Sequence, residues 1–366
     1  MKIVCDMSVL ELPPTGVGKA AIGLYEACFR QRKDLEVIAA HRRTLKTSLS
    51  PSFLRQQRGR FLPEAWWRKS VLPLMIKRSE ARWAHFPWSG HVPILPMEVK
   101  VITTLHDVLP LIIPNYFKSP ADEMNYRKRI QKDIDRTHIL FTDSEFSKKE
   151  IMRNFTVRSE PVVLMLASTI ETGEVIGQPV NENNTGYFFY VGGYDRRKGL
   201  DKLLRVFSRL RTEKKTLAKL IIAGDKKFIS DECERHLNVL RSQDAVEELG
   251  YISDDELARR LRGAVALVYP SKYEGFGLPP LEAMALGCPV ITTRYTSIPE
   301  ICEDSAFYID PDDDVVFAQS LVILYTDKNL RMELKEKGLK QAAKFSWSKT
   351  AERFLRHIVE YEKRVY

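Results

Sequence analysis

The chain has 366 residues and a formal net charge of +9 at neutral pH, which is too long for one compact core and suits two domains of roughly 150 to 200 residues each. Hydrophobic residues make up 44% and charged residues 29%, which excludes a disordered or fibrous chain. No stretch approaches the roughly 18 to 20 apolar residues of a membrane span, and the start MKIVCDMSVLELPP lacks a secretory leader, so a cytoplasmic location is expected.

From the N-terminus, short apolar runs alternate with amphipathic stretches: KIVCDM, GKAAIGLYEACFR, LEVIAA, KVITTLHDV, RKRIQKDIDRTHILFTDS and PVVLML. Strands separated by helices predict a parallel α/β sheet. Within PPTGVGKAA, Gly16, Gly18 and Ala21 have dinucleotide-fingerprint spacing. The following strand, LEVIAAH, ends in His41 and not in the acid that would hold a ribose, so a nicotinamide cofactor is not expected. Between the strands, RQQRGRFLPEAWWRKSVLPLMIKRSEARW interleaves eight Arg and Lys residues with Phe61, Trp66, Trp67 and Trp83. It reads either as a solvated basic helix with its aromatic stripe in the core or as a segment in peripheral contact with an anionic membrane. The charge brings no nucleic-acid motif with it, so nucleic acid is not expected as a partner.

The polar stretch STIETGEVIGQPVNENNTG reads as a linker. It divides an N-terminal domain, residues 1–172, from a second, residues 185–348, in which YFFYVGG, GLDKLLRVFSRLR, KLIIAG, VALVYPS, LPPLEAMALG and PVITT repeat the alternation. A closing helix over 349–366 is long enough to cross back to the first domain. The five cysteines, Cys5, Cys28, Cys233, Cys288 and Cys302, are scattered and never form C-x-x-C, so reduced thiols are expected and neither disulfides nor zinc.

The most informative stretch is YPSKYEGFGLPPLEAMALGCPVITTRYTSIPEI, residues 269–301. Amides around Gly275, Phe276, Gly277 and Leu278 can approach a ligand closely, and a helix opening at Pro279 and Pro280 favours an anion at its N-terminus. A sugar diphosphate fits such a place. Glu282, expected in the first helical turn, can hold ribose hydroxyls, and Glu274 on the loop can face a sugar carbon where positive charge develops. An acid in a first turn is also favoured by the helix dipole, by about 0.3 to 1 kcal/mol, with no ligand present. In VGGYDRRKG, Gly192 and Gly193 precede Arg197 and Lys198, a plausible clamp for a departing diphosphate. His106 and Asp107 stand at the end of the strand KVITTLHDV, a usual place for ligands in parallel sheets.

These motifs resemble the signature of glycosyltransferase family 4, retaining enzymes of the GT-B fold, whose two glutamates separated by seven residues match Glu274 and Glu282. The resemblance covers nearly the whole chain, most specifically residues 187–311. It implies two doubly wound Rossmann-like domains facing across a cleft, with an acceptor half and a donor half. It implies Lys198 and Arg197 on the diphosphate, His106 near the transferred sugar, Asp107 shaping its loop, and Gly16 and Gly18 in a flexible loop that closes over the substrates. It also implies no cofactor and no essential metal, only a nucleotide-diphosphate sugar as substrate. GDP-mannose is the donor expected first, ahead of UDP-hexoses and ADP-glucose. The expected acceptor is a saccharide or lipid-linked saccharide of surface polysaccharide or lipopolysaccharide synthesis, at the inner face of the cell membrane. A nucleotide-sugar epimerase on the same architecture is the alternative from another reaction class.

Overall fold

Strand and helix alternate through the computed structural model, which describes residues 1–11, 16–57, 62–88, 92–170, 186–216, 218–226 and 229–365. The chain divides into two compact units, Met1–Thr169 with Ser346–Tyr366, and Ile170–Phe345. Of the expected linker at 168–186, residues 171–185 lie outside the described residues.

The first unit takes β1 Lys2–Asp6, α1 Gly16–Gln31, β2 Glu36–His41 and β3 Phe53–Gln57. Then α2 Glu64–Trp66 runs through a π-turn at Trp67–Val71 into α3 Leu72–Arg78. There follow β4 Trp83–Phe86, β5 Lys100–Thr104, α4 Pro120–Arg136, β6 Ile139–Thr142, α5 Glu145–Asn154 and β7 Val162–Val163. All pairings are parallel, in the order β3-β2-β1-β4-β5-β6-β7. Both faces are covered, so successive side chains of a strand enter different cores. Ile3 and Cys5 pack with Tyr25, Phe141 and Phe354, whereas Val4 packs with Trp67, Ile76 and Val101.

The second unit takes β8 Tyr187–Val191, α6 Leu200–Thr212, β9 Lys219–Ala223, α7 Asp231–Ser242, β10 Val246–Gly250, α8 Asp254–Gly263 and β11 Ala266–Tyr269. It continues with α9 Leu278–Ala285, β12 Val290–Thr293, α10 Ile298–Cys302, β13 Phe307–Ile309, α11 Asp314–Thr326 and α12 Lys328–Ala342. Its order, β10-β9-β8-β11-β12-β13, is again parallel. Serine side chains cap α4, α5, α7 and α8, each contributing about 1 kcal/mol by satisfying an N–H the helix cannot. The last helix, α13 Trp347–Val365, belongs to the first unit.

Several expectations change. What read as one basic aromatic segment opens in β3, holds α2, the π-turn and α3, and closes on β4, and Trp67 and Trp83 are buried in the core. The Arg68 guanidinium is also buried, 2.7 Å from Asp6, 2.9 Å from Glu64 and 4.5 Å over the Trp88 ring. Helices α11 and α12 were not legible at all. Three consecutive acids, Asp312, Asp313 and Asp314, are all engaged: Asp313 caps α11, Asp312 pairs with Lys202 and Lys272, and Asp314 pairs with Arg205. All five cysteines are free and buried.

Candidate active site

In a doubly wound sheet, ligands gather outside the carboxyl ends of the strands where the order reverses. In the second unit that point lies between β8 and β11. The loops leaving these two strands hold VGGYDRRKG and SKYEGFG, so the fold itself brings the two motifs together.

Their meeting point is Glu274, 8% exposed. Its Oε1 accepts from Lys198 Nζ at 2.6 Å, Ser271 Oγ at 2.6 Å, Tyr269 Oη at 2.7 Å and Arg197 Nη1 at 3.4 Å. Burial pushes the Glu274 carboxyl up, but Lys198 and Arg197 outweigh it and hold the group below its usual range, ionised. Lys198 also donates to Tyr269 Oη at 2.6 Å, and Arg197 to the Tyr273 carbonyl at 2.7 Å. Both cations thus stand at the opening of α6 in a setting that favours anions.

Two glycines permit this approach. Gly199 has φ +71°, and a Cβ there would sit 2.3 Å from the Pro270 carbonyl oxygen, so α6 can start against the end of β11 only without a side chain. Gly193 has φ +68°, with the Asp225 carbonyl oxygen 3.0 Å from where its Cβ would be. That closeness joins the loops after β8 and β9 backbone to backbone. Gly192 precedes it, and the Gly193 carbonyl accepts from Tyr190 Oη at 2.8 Å.

Gly275, Phe276 and Gly277 continue the loop, and Leu278 opens α9. Ser297, fully buried, donates to the carbonyls of Glu274 at 2.9 Å and Phe276 at 2.7 Å, and Thr296 Oγ1 accepts the Glu274 N–H at 3.0 Å. The turn after β12 therefore holds the glutamate loop in place. Glu282 is 5% exposed and occupies the second turn of α9, not the first. The dipole effect fades beyond the first turn, so it no longer accounts for a buried acid there.

The remaining candidates belong to the first unit. His106 follows β5 by two residues, with Nδ1 2.6 Å from Asp143 Oδ2 and Nε2 2.8 Å from the Pro87 carbonyl oxygen. Asp107 Oδ1 accepts the Leu109 N–H at 3.0 Å, shaping the loop. Gly16 and Gly18 stand in the first turn of α1, not in a loop, and a Cβ on Gly18 would meet Leu10 Cδ2 at 2.6 Å.

Reading the sequence missed Tyr269, Ser271, Ser297 and Asp143 as site residues. The first two lie inside the signature, flanking its strand end. Asp143 sits in TDSEF, just past the end of β6, and its partnership with His106 follows from β5 and β6 being neighbours.

A family model for glycosyl transferases group 1 matches residues 174–341, which hold Lys198, Glu274 and Glu282. O-antigen chain mannosyltransferase B of Escherichia coli is 28% identical over 382 residues, spanning 95% of this chain and 96% of its own. Over residues 174–341 the chain is similar to the group 1 glycosyl transferases. Serotype-specific mannosyltransferase WbdA of Escherichia coli is 26% identical over 267 residues, 69% of this chain and 32% of that protein. Sucrose-phosphate synthase of Thermosynechococcus elongatus shares the fold of this chain, with a TM-score of 0.74 at 18% identity over 99% of both chains. The fold is GT-B, with two Rossmann-like parallel sheets and a last helix that belongs to the first unit.

Proposed function

We propose that this glycosyltransferase moves mannose from GDP-mannose, with retention and without an essential metal, onto a saccharide or lipid-linked saccharide in surface polysaccharide or lipopolysaccharide synthesis. The observation that carries the reading is the buried meeting of Lys198, Arg197 and Glu274 at the switch point of the second sheet. The two cations would take the diphosphate and stabilise it as it departs, the task a metal would otherwise perform. Glu282 would hold the ribose. With four donors on one oxygen, Glu274 is a weak nucleophile, which suits a group that stabilises positive charge at the anomeric carbon. The choice of mannose rests on relatives named mannosyltransferases.

Calorimetric titration of GDP, UDP, ADP and GDP-mannose, with and without magnesium, tests this. GDP and GDP-mannose are expected to bind without metal, and Glu282→Ala to weaken them about tenfold or more, the usual effect of losing a hydrogen bond to a charged group. Preference for UDP or ADP would reassign the donor. No binding by any nucleotide would remove the reading.

The acceptor side includes a surface suited to the inner face of a membrane. No helix among the described residues is long and apolar enough to cross one. Around α3, however, Trp66 is 67% and Leu74 54% exposed, beside exposed Lys69, Lys77, Arg78 and Arg82. Apolar anchors among cations are what peripheral binding to anionic lipid requires. Pelleting with vesicles is expected to rise with anionic lipid content and fall with salt, and to drop in a variant carrying Trp66→Ala and Lys69→Glu. Insensitivity to lipid charge would place the acceptor in solution.

A further inference from the structure

Both ring nitrogens of His106 face acceptors, Asp143 Oδ2 and the Pro87 carbonyl oxygen. A neutral imidazole has one N–H and can donate to only one of them. Asp143 is 3% exposed, and its Oδ1 is buried with no hydrogen-bond partner among the described residues. A carboxylate so placed is sustainable when a full positive charge stands against its other oxygen. The charged and titratable groups facing the ring are Asp143, Asp107 and His85 of β4. Burial pulls His106 down, but Asp143, the Pro87 carbonyl and Asp107 outweigh it and lift the imidazolium to about 9. His85 makes the contrast. It sits between two hydroxyls, Tyr25 Oη at 2.8 Å and Thr104 Oγ1 at 2.9 Å, and burial together with the His106 charge keeps it neutral, at about 3.

We propose that Asp143 is the positioning residue that fixes His106 as a doubly protonated imidazolium, so that His106 offers a standing positive charge and not a base. The proposal rests on the reading of His106 as part of the site. With both N–H groups engaged, His106 acts on substrate through its charge, and turnover is insensitive to its titration across the neutral range.

The test uses the full chain with ¹⁵N-labelled histidine, as wild type and Asp143→Asn, observed by NMR between about pH 6 and 10. The wild type is expected to keep both His106 nitrogens protonated through about pH 8, and the variant to lower the midpoint by about 1 to 3 units. GDP release from GDP-mannose, with methyl α-D-mannopyranoside as acceptor probe, should be flat over neutral pH for the wild type. For Asp143→Asn it should fall as pH rises through the lowered midpoint. Asp143→Glu keeps the charge and should restore the flat profile; it stands in if the Asn variant does not fold. A single ring proton on wild-type His106 at neutral pH overturns the proposal. So does a variant whose midpoint moves while its pH profile matches the wild type, because the pair is then only structural. If the wild type releases no GDP while nucleotides bind, the positioning role falls, and the NMR spectra still decide the charge state. If nucleotides do not bind either, it is the functional reading that has failed.

Discussion

Glu274→Ala is expected to lower turnover by about 10² to 10³, the usual loss when one positioned charge-stabilising group is removed, while GDP still binds. The two effects separate because, on the proposed reading, Glu274 would serve the sugar and its loop, whereas Lys198 and Arg197 would face the phosphates. In this structure those cations donate to Glu274, so the substitution frees them without removing them. Steady-state kinetics beside GDP calorimetry on one preparation reads both. Unchanged turnover would take Glu274 out of the chemistry; lost GDP binding would make it a structural support of the clamp.

Lys198→Met should act on stability as well as turnover. The Lys198 and Glu274 side chains are 12% and 10% exposed, and breaking a buried pair from one side typically costs roughly 3 to 5 kcal/mol. Arg197, 3.4 Å away, keeps the expected loss near the lower end. The pH dependence has a definite sign. In the wild type the Glu274 carboxyl is held below its ordinary value, so its contribution is present above the unfolded-state value and lost as pH falls through the folded one. Without Lys198, burial dominates and raises the carboxyl, so the variant is penalised where Glu274 must ionise and recovers as acid protonates it. The stability gap between wild type and variant should therefore narrow from about pH 8 toward about pH 5 in urea melts. A gap that widens toward acid would contradict the ionised pair.

The legible parts of this fold were those with local signals. Short apolar runs mark most of the strands near the site and period-3.6 patterns most of the helices, and the two glycine-bearing loops announce themselves by composition. What failed depended on neighbours far along the chain. The exposed Leu54 and Arg55 gave β3 no alternation against charge, and the buried Arg68 looked like surface until Asp6, 62 positions earlier, was seen to pair with it. α11 carries apolar residues on several faces, including exposed Val315, Val316 and Ile323, so its periodicity was weak. The donors around Glu274 come partly from within the signature and partly from a loop more than 70 residues away. The signature located the glutamate, and only the strand order β8-β11 shows why the lysine reaches it.

The placement of α13 bears on how the polypeptide is made. Phe354 and Ile358 are fully buried among Tyr25, Trp83 and Phe141, and Trp347 Nε1 donates to the Ser168 carbonyl at 3.0 Å. The first unit is therefore finished by residues that are made only after the whole of the second. Domains usually fold in the order of synthesis, yet here the earlier unit must wait, its apolar face uncovered, until the later one has been translated. A fragment that stops at Thr169 would remain in that unfinished state, so independent expression of the first unit calls for grafting 346–366 onto its end.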